Sequence, residues 1–242
     1  MAKFKAKIIQ VDDLSSDVRN YKLEIVDVGV RKNFSFLPGQ FVIIKDKNEG
    51  GKEVAAKRSY SIASSPDEKK YFELCIKLEP DGKLTPKLFE LSKGDILDCE
   101  GPFGNFVFED PEGRDVLFIA GGTGIAPIRS MLNYAINNNI GKIITLFFSF
   151  RGHKQFLYSD EFEEILEKNS KRFRLVVSNT DNSDEEWDGL YGRLQEHISA
   201  YVDNCDNKNV YMCGSPEFVK EISEVLFKLG FTKEQIRKEV WS

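Results

Sequence analysis

Hydrophobic and polar residues alternate along the first part of the chain. In Lys3 to Val11, Phe4, Ala6 and Ile8 share one face while lysines occupy the other. Similar short runs recur at Val18 to Val26, Phe41 to Lys45, Arg58 to Ile62, Tyr71 to Leu78 and Ile96 to Cys99, separated by turn residues. Repeated period-two strands of this kind predict an antiparallel barrel or sandwich, interrupted by one helical stretch at Thr85 to Leu91. Beyond the polar segment Glu109-Asp110-Pro111-Glu112-Gly113 the pattern changes. Val116 to Ala120, Ile143 to Phe148, Phe173 to Val177 and Asn209 to Cys213 are continuous apolar runs, each followed by a loop and usually by helical spacing. Strands buried on both faces and alternating with helices predict a parallel sheet. The expected organisation is therefore an antiparallel β-barrel over residues 1–110 and an α/β parallel-sheet domain over residues 111–242.

Composition narrows the functions this architecture can carry. With 242 residues, 41% of them hydrophobic, the chain can bury two ordinary cores. The best apolar run, Ile143 to Phe148, is strand-sized, far short of the roughly 18 residues a membrane helix needs, so no membrane span is expected. The opening MAKFKAKIIQVDDL reads as a strand and lacks the apolar core and small-residue cleavage site of a signal peptide, which predicts a cytoplasmic protein. The formal charge is −5, with 34 basic and 39 acidic side chains interspersed, so no footprint for nucleic acid exists. Cys75, Cys99, Cys205 and Cys213 form no CxxC pair, and the only histidines are His153 and His197. Local spacing thus offers neither a zinc site, an iron–sulfur cluster nor a serine-type triad, and no metal is expected.

Three segments carry candidate chemistry. Val116 to Ala120 runs into Gly121-Gly-Thr-Gly124, then Ile125-Ala-Pro127 and apolar residues at helical spacing: a strand, a glycine turn and a helix. Glycines let backbone approach a ligand closely, and exposed N–H groups at a helix start suit a pyrophosphate. A plain tight connection explains the same residues. The usual dinucleotide fingerprint is not met, because Pro127 stands at the third glycine position and no acidic residue ends the next strand, at Ser149. Next, Asn209 to Cys213 leads into Gly214-Ser215-Pro216-Glu217 and a helix from Phe218 to Leu229. Cys213 falls at the carboxyl end of a strand, either as an activated thiol or as a small buried apolar residue. In the first half, Arg58-Ser59-Tyr60-Ser61 combines a phosphate-clamping guanidinium, a flat ring and hydroxyls, though an ordinary strand end reads the same way. Gly82-Lys83-Leu84-Thr85 opens the one helix of that half with free N–H groups and a hydroxyl for a second phosphate.

Taken in order, Pro38-Gly39-Gln40-Phe41, Arg58 to Ser61, Gly82 to Thr85, Gly94-Asp95, Gly101-Pro-Phe-Gly104, Gly121 to Pro127, Trp187-Asp-Gly189 with Gly192, and Cys213-Gly214 resemble the ferredoxin reductase superfamily. These are flavoproteins with a FAD-binding barrel followed by an NAD(P)-binding domain, and the resemblance covers nearly the whole chain. It implies that Arg58 binds the flavin pyrophosphate, that Ser59 beside it also contacts FAD, that Tyr60 lies against the isoalloxazine, and that the Ser61 hydroxyl sits near flavin N5. Gly82, Lys83, Leu84 and Thr85 close over the FAD phosphates. Gly122, Thr123 and Gly124 face the pyridine-nucleotide pyrophosphate, with Cys213 and Gly214 near the nicotinamide. The tail Glu239-Val-Trp241-Ser242 resembles that of diflavin reductases and some bacterial ferredoxin reductases, where an acidic residue and a terminal aromatic complete the site, which implies that Trp241 stacks on the isoalloxazine of FAD; a plain hydrophobic anchor for the last strand explains the same residue. Ser61, Cys213, Glu239 and Trp241 are then the expected catalytic set.

The resemblance predicts a FAD-dependent oxidoreductase taking hydride from NADPH or NADH and passing electrons to a ferredoxin, a flavodoxin or a comparable carrier. Two other functions stay open: a reductase of free flavin, and an electron-transfer subunit active only in a complex. Ser149 and Arg151 are candidates for a 2′-phosphate and lean toward NADPH, whereas Asn179 stands where NADP-preferring relatives often carry arginine. The flavin does the redox work, so the chain needs no strong general acid or base, consistent with its two histidines.

Overall fold

The computed structural model describes residues 2–47 and 54–241; Ser242, part of the expected tail, lies outside the described residues. Two compact units emerge, the first ending at Phe108 and also taking in Arg129–Tyr134, the second holding Glu109–Ile128 and the chain from Ala135 onward.

The first unit contains β1 (Ala2–Asp13), β2 (Val18–Ile25), α1 (Val28–Asn33), β3 (Phe41–Lys47), β4 (Val54–Ser61), β5 (Phe72–Lys77), α2 (Thr85–Glu90) and β6 (Ile96–Phe103). Its strands pair antiparallel in the order β4-β3-β6-β1-β2-β5. The two edge strands come together at an isolated bridge between Ile62 and Leu74, which curls the sheet into a half-barrel. Alternation in the sequence becomes burial: Phe4, Ala6 and Ile8 of β1 join Tyr21, Leu23, Val42, Ile44, Ile62 and Leu74 in one core. Each fully buried aliphatic side chain contributes about 1.5–3 kcal/mol.

One expectation for this unit is corrected. The helix at Thr85 is not alone, because α1 precedes it. Val28-Gly29-Val30 is poor helix material, which hides α1 from pattern reading. The Val30 N–H donates to Asp27 Oδ1 at 2.7 Å as an N-terminal cap, and Phe34 after α1 packs on Phe4 and Phe72 with ring centroids 5.2 and 5.8 Å away.

The second unit contains β7 (Asp115–Gly121), the ends of α3 (Ile125–Asn137, whose Arg129–Tyr134 count with the first unit), β8 (Ile144–Phe150), α4 (Ser159–Lys168), β9 (Phe173–Asn179), β10 (Leu190–Tyr191), α5 (Ile198–Tyr201), β11 (Lys208–Gly214), α6 (Pro216–Lys228) and β12 (Ile236–Val240). All its pairings are parallel, in the order β10-β9-β8-β7-β11-β12. From β7 the chain winds one way through β8 and then returns to β11 on the other side. Such a reversal leaves a crevice at the carboxyl ends of β7, β8 and β11, the usual ligand position in open parallel sheets. No described helix is long and apolar enough to cross a membrane.

Candidate functional site

In the first unit, the edge strand β4 presents Arg58 and Ser59 to solvent and buries Tyr60 and Ser61. The Arg58 Nη1 donates to the Lys57 carbonyl at 2.8 Å. Lys45, Lys57, Arg58 and Lys83 line an open cleft of about 720 Å³ together with Ala56, Asp81 and Gly82. Four cations line the cleft against one carboxylate, with Lys45 already paired to Glu100, so its field favours an anionic ligand. Tyr60 is 7% exposed, and its hydroxyl is buried with no hydrogen-bonding partner among the described residues. Burial pushes this phenol up to about 12, so it stays neutral at any working pH. An orphaned hydroxyl on the same strand as a cationic cleft fits a ligand carrying both a phosphate and a polar ring, as FAD does.

The turn before α2 is built differently from the expectation. The Thr85 hydroxyl accepts from the Glu79 N–H at 2.9 Å and donates to the Glu79 carbonyl at 3.1 Å. It is occupied in closing its own turn. Leu84 points into the core, leaving Gly82 and Lys83 to face the cleft. A Cβ at Gly82 would stand 2.9 Å from the Glu79 carbonyl oxygen, so the turn requires glycine.

An unsatisfied buried hydroxyl costs about 1–3 kcal/mol. Tyr60→Phe is therefore expected to raise the thermal midpoint of the FAD-free protein while weakening FAD binding, measured by calorimetric scans with and without FAD. A lower midpoint without FAD would show that the hydroxyl is already satisfied.

In the second unit, the turn Gly122–Gly124 joins β7 to α3. A Cβ at Gly124 would come within 2.4 Å of the Cys213 carbonyl oxygen, so only glycine lets this turn lie against the end of β11. Register then assembles the rest: Cys213 pairs with Glu239 and Gly214 with Val240, and the Trp241 N–H donates to the Gly214 carbonyl at 3.0 Å. Cys213 is fully buried; burial first, and the Glu239 carboxylate second, push its thiol far above its ordinary value. The thiol therefore stays protonated, which decides against the activated nucleophile. The Trp241 indole N–H pulls the other way, though no atom of the described residues meets it in hydrogen-bonding geometry.

A second cleft of about 220 Å³ opens beyond β8, lined by Ser149, Thr180, Arg193, Gln195, Ser215, Glu217, Phe218 and Glu221. Ser149 is thus in a cleft, but Arg151 is exposed elsewhere, close enough to Asp181 to help hold its carboxyl below the usual range after the Ser183 hydrogen bonds. Asn179 ties the neighbouring loops: its Oδ1 accepts from Gly152 N–H at 2.8 Å and Asp181 N–H at 2.9 Å, and its Nδ2 donates to Asp184 Oδ2 at 2.7 Å. His153 braces the same loops through Asp184 Oδ1 at 2.7 Å and Glu186 at 3.0 Å. Lys45, Lys57, Arg193, Gln195, Glu217 and Glu221 escaped the sequence reading; only the i,i+4 spacing of Glu217 and Glu221 hinted at a shared helix face.

Residues 5–108 match the oxidoreductase FAD-binding domain family and residues 118–224 the oxidoreductase NAD-binding domain family. The chain is 33% identical over 239 residues to the sulfhydrogenase 1 subunit gamma of Pyrococcus furiosus, spanning 97% of this chain and 78% of that protein. It is 30% identical over 243 residues to ferredoxin–NADP reductase B of Sorangium cellulosum, spanning 98% and 96%. Some relatives are longer: the chain spans 65% of the phenol hydroxylase P5 protein of Acinetobacter pittii, at 28% identity. Among solved structures, a cytochrome P450 reductase of Amycolatopsis superposes with a TM-score of 0.86 at 26% identity, covering 99% of this chain and 69% of the other. With a FAD-type barrel, a parallel nucleotide-binding sheet and relatives that match over its whole length, the chain belongs to the ferredoxin reductase-like superfamily and is an NAD(P)H-dependent flavoprotein reductase.

Proposed function

We propose that this protein oxidises NAD(P)H and delivers the electrons singly to a ferredoxin, a flavodoxin or a similar small carrier in the cytoplasm. Bound FAD supplies the redox chemistry, linking two-electron oxidation of the nucleotide to one-electron delivery. Arg58, with Lys57 and Lys83 beside it, neutralises the cofactor's diphosphate; Ser59, Tyr60 and Ser61 offer hydroxyls and a ring face to its flavin end. Gly82, Lys83, Leu84 and Thr85 form the turn beside the phosphates, Thr85 by bracing it. In the second unit, Gly122, Thr123 and Gly124 present backbone N–H groups to the nucleotide's diphosphate, and Gly214 permits its close approach. Cys213 keeps its proton and so offers the nicotinamide an uncharged, polarisable surface, while Glu239 provides a negative charge nearby and Trp241 a flat indole. These side chains orient the nucleotide and exclude water; they need not transfer a proton.

The observation that carries this reading is the Cys213, Glu239 and Trp241 cluster, set by the β11–β12 register beside the Gly124 turn. Anaerobic stopped-flow mixing of the FAD-loaded protein with NADH or NADPH should bleach the flavin absorbance, and oxidised ferredoxin or flavodoxin should restore it. Failure of both nucleotides to bleach it would refute the enzyme reading, and failure of both carriers to restore it would refute the acceptor.

A further inference from the structure

The second cleft carries its own charge pattern, and it points away from a 2′-phosphate. It lies at the carboxyl ends of β8 and β9, with α6 forming one wall. Among its described lining residues the only cation is Arg193, whose Nη1 lies 2.7 and 2.9 Å from the two Glu221 carboxylate oxygens and 3.4 Å from Glu217 Oε1. The Gln195 side chain donates to Glu221 Oε2 at 2.7 Å, fixing that carboxylate toward the guanidinium. One guanidinium therefore faces two carboxylates, a net charge of −1 on the cleft lining. Ser149, 7% exposed, adds a small hydroxyl at the floor. Arg151 is not among the lining residues and stands near Asp181 instead.

A 2′-phosphate carries about −1.5 to −2 charges at pH 7 and needs a free cation, preferably a guanidinium fork. Here Nη1 of Arg193 is already engaged by both carboxylates, so binding such a group means either drawing the guanidinium away from Glu221 or accepting repulsion from Glu217 and Glu221. A ribose with free 2′ and 3′ hydroxyls meets the opposite situation: hydroxyls donate, and the mostly exposed Glu217 carboxylate accepts. We propose that Glu217 and Glu221, by occupying Arg193, make this enzyme select NADH over NADPH. The inference rests on the NAD(P)H oxidoreductase reading and adds which of the two nucleotides it uses. Selection arises mainly from the built-in repulsion of the competitor, with attraction to NADH as the smaller part.

Two measurements test it. In stopped-flow reduction of the FAD-loaded protein, half-saturation with NADPH should need at least about tenfold more nucleotide than with NADH. Glu217→Gln with Glu221→Gln frees Arg193 and should shift this ratio toward NADPH by about tenfold or more, and adding Arg193→Ala should abolish the shift. Independently, calorimetric titration should show the wild-type chain binding 5′-AMP more tightly than adenosine 2′,5′-bisphosphate, with the order reversed in the double variant. A wild-type preference for NADPH or for the bisphosphate overturns the proposal, as does an unchanged ratio in the double variant. If neither nucleotide reduces the flavin, the parent reading fails and the titration alone decides; no binding of either adenosine probe to wild type or double variant then overturns the cleft assignment as well.

Discussion

Glu73→Ala is expected to destabilise the first unit by about 3–5 kcal/mol, the cost of stripping one partner from a buried ion pair. The Glu73 side chain is 7% exposed and that of Arg129 only 11%, with Arg129 Nη1 at 2.5 Å from Glu73 Oε2. Arg129 also donates to the Ala63 carbonyl at 3.0 Å, and the Ser130 hydroxyl donates to the Ser64 carbonyl at 2.7 Å, all within the first unit. Lys22 approaches the other Glu73 oxygen at 3.5 Å and cannot replace the lost charge for Arg129. At about 4–8 °C per kcal/mol for a domain of this size, the thermal midpoint should fall by at least about 12 °C, followed by circular dichroism. Glu73→Leu combined with Arg129→Met should recover most of the loss, because a well-packed apolar pair avoids the desolvation cost. A shift below about 1 kcal/mol in the alanine variant would show the pair behaving as a solvated surface bridge.

Arg58→Ala should weaken FAD binding about tenfold or more, from the loss of about 1.5–3 kcal/mol of charge-assisted hydrogen bonding. Among the cations of the cleft, Lys45 is engaged by Glu100, whereas Arg58 spends a single N–H on the Lys57 carbonyl and keeps the rest of its fork for a ligand. Arg58→Lys should fall between wild type and alanine, since one ammonium cannot grip a phosphate in two places. Titrating the apoprotein with FAD and following its fluorescence checks this, and equal affinities across the three proteins would remove Arg58 from the site.

Strand alternation in the first half and continuous apolar runs in the second were readable because burial on one face or on two leaves a direct periodic trace. Tyr60 and Cys213 could likewise be picked out, since strand position alone puts a ring or a thiol at an edge. Partnership was not readable. Nothing near Thr85 in sequence announces that its hydroxyl is consumed by Glu79 six residues earlier, and Arg193 meets Glu221 across 28 residues of intervening strand and helix. The same holds for Glu73 and Arg129, 56 residues apart. Charges and hydroxyls look available in a sequence; the fold decides which are already taken. The short helix α1 was missed for a different reason, because a cap and an aromatic anchor outweigh weak intrinsic propensity there.

The half-barrel closes along a narrow seam. Where β1 and β2 share a long ladder with one register shift, the seam between the end of β4 and β5 has the Ile62–Leu74 bridge, the Ala63 N–H bonded to the Glu73 carbonyl at 2.8 Å and the Glu73 N–H bonded to the Ser64 hydroxyl at 3.1 Å. The strand that runs into this seam is the one bearing Arg58, Tyr60 and Ser61. A ligand gripping β4 thereby works as a clasp on the barrel. By linkage, each tenfold excess of free FAD over its dissociation constant adds about 1.4 kcal/mol to the folded form, so cofactor supply and the lifetime of the closed barrel are governed by one equilibrium.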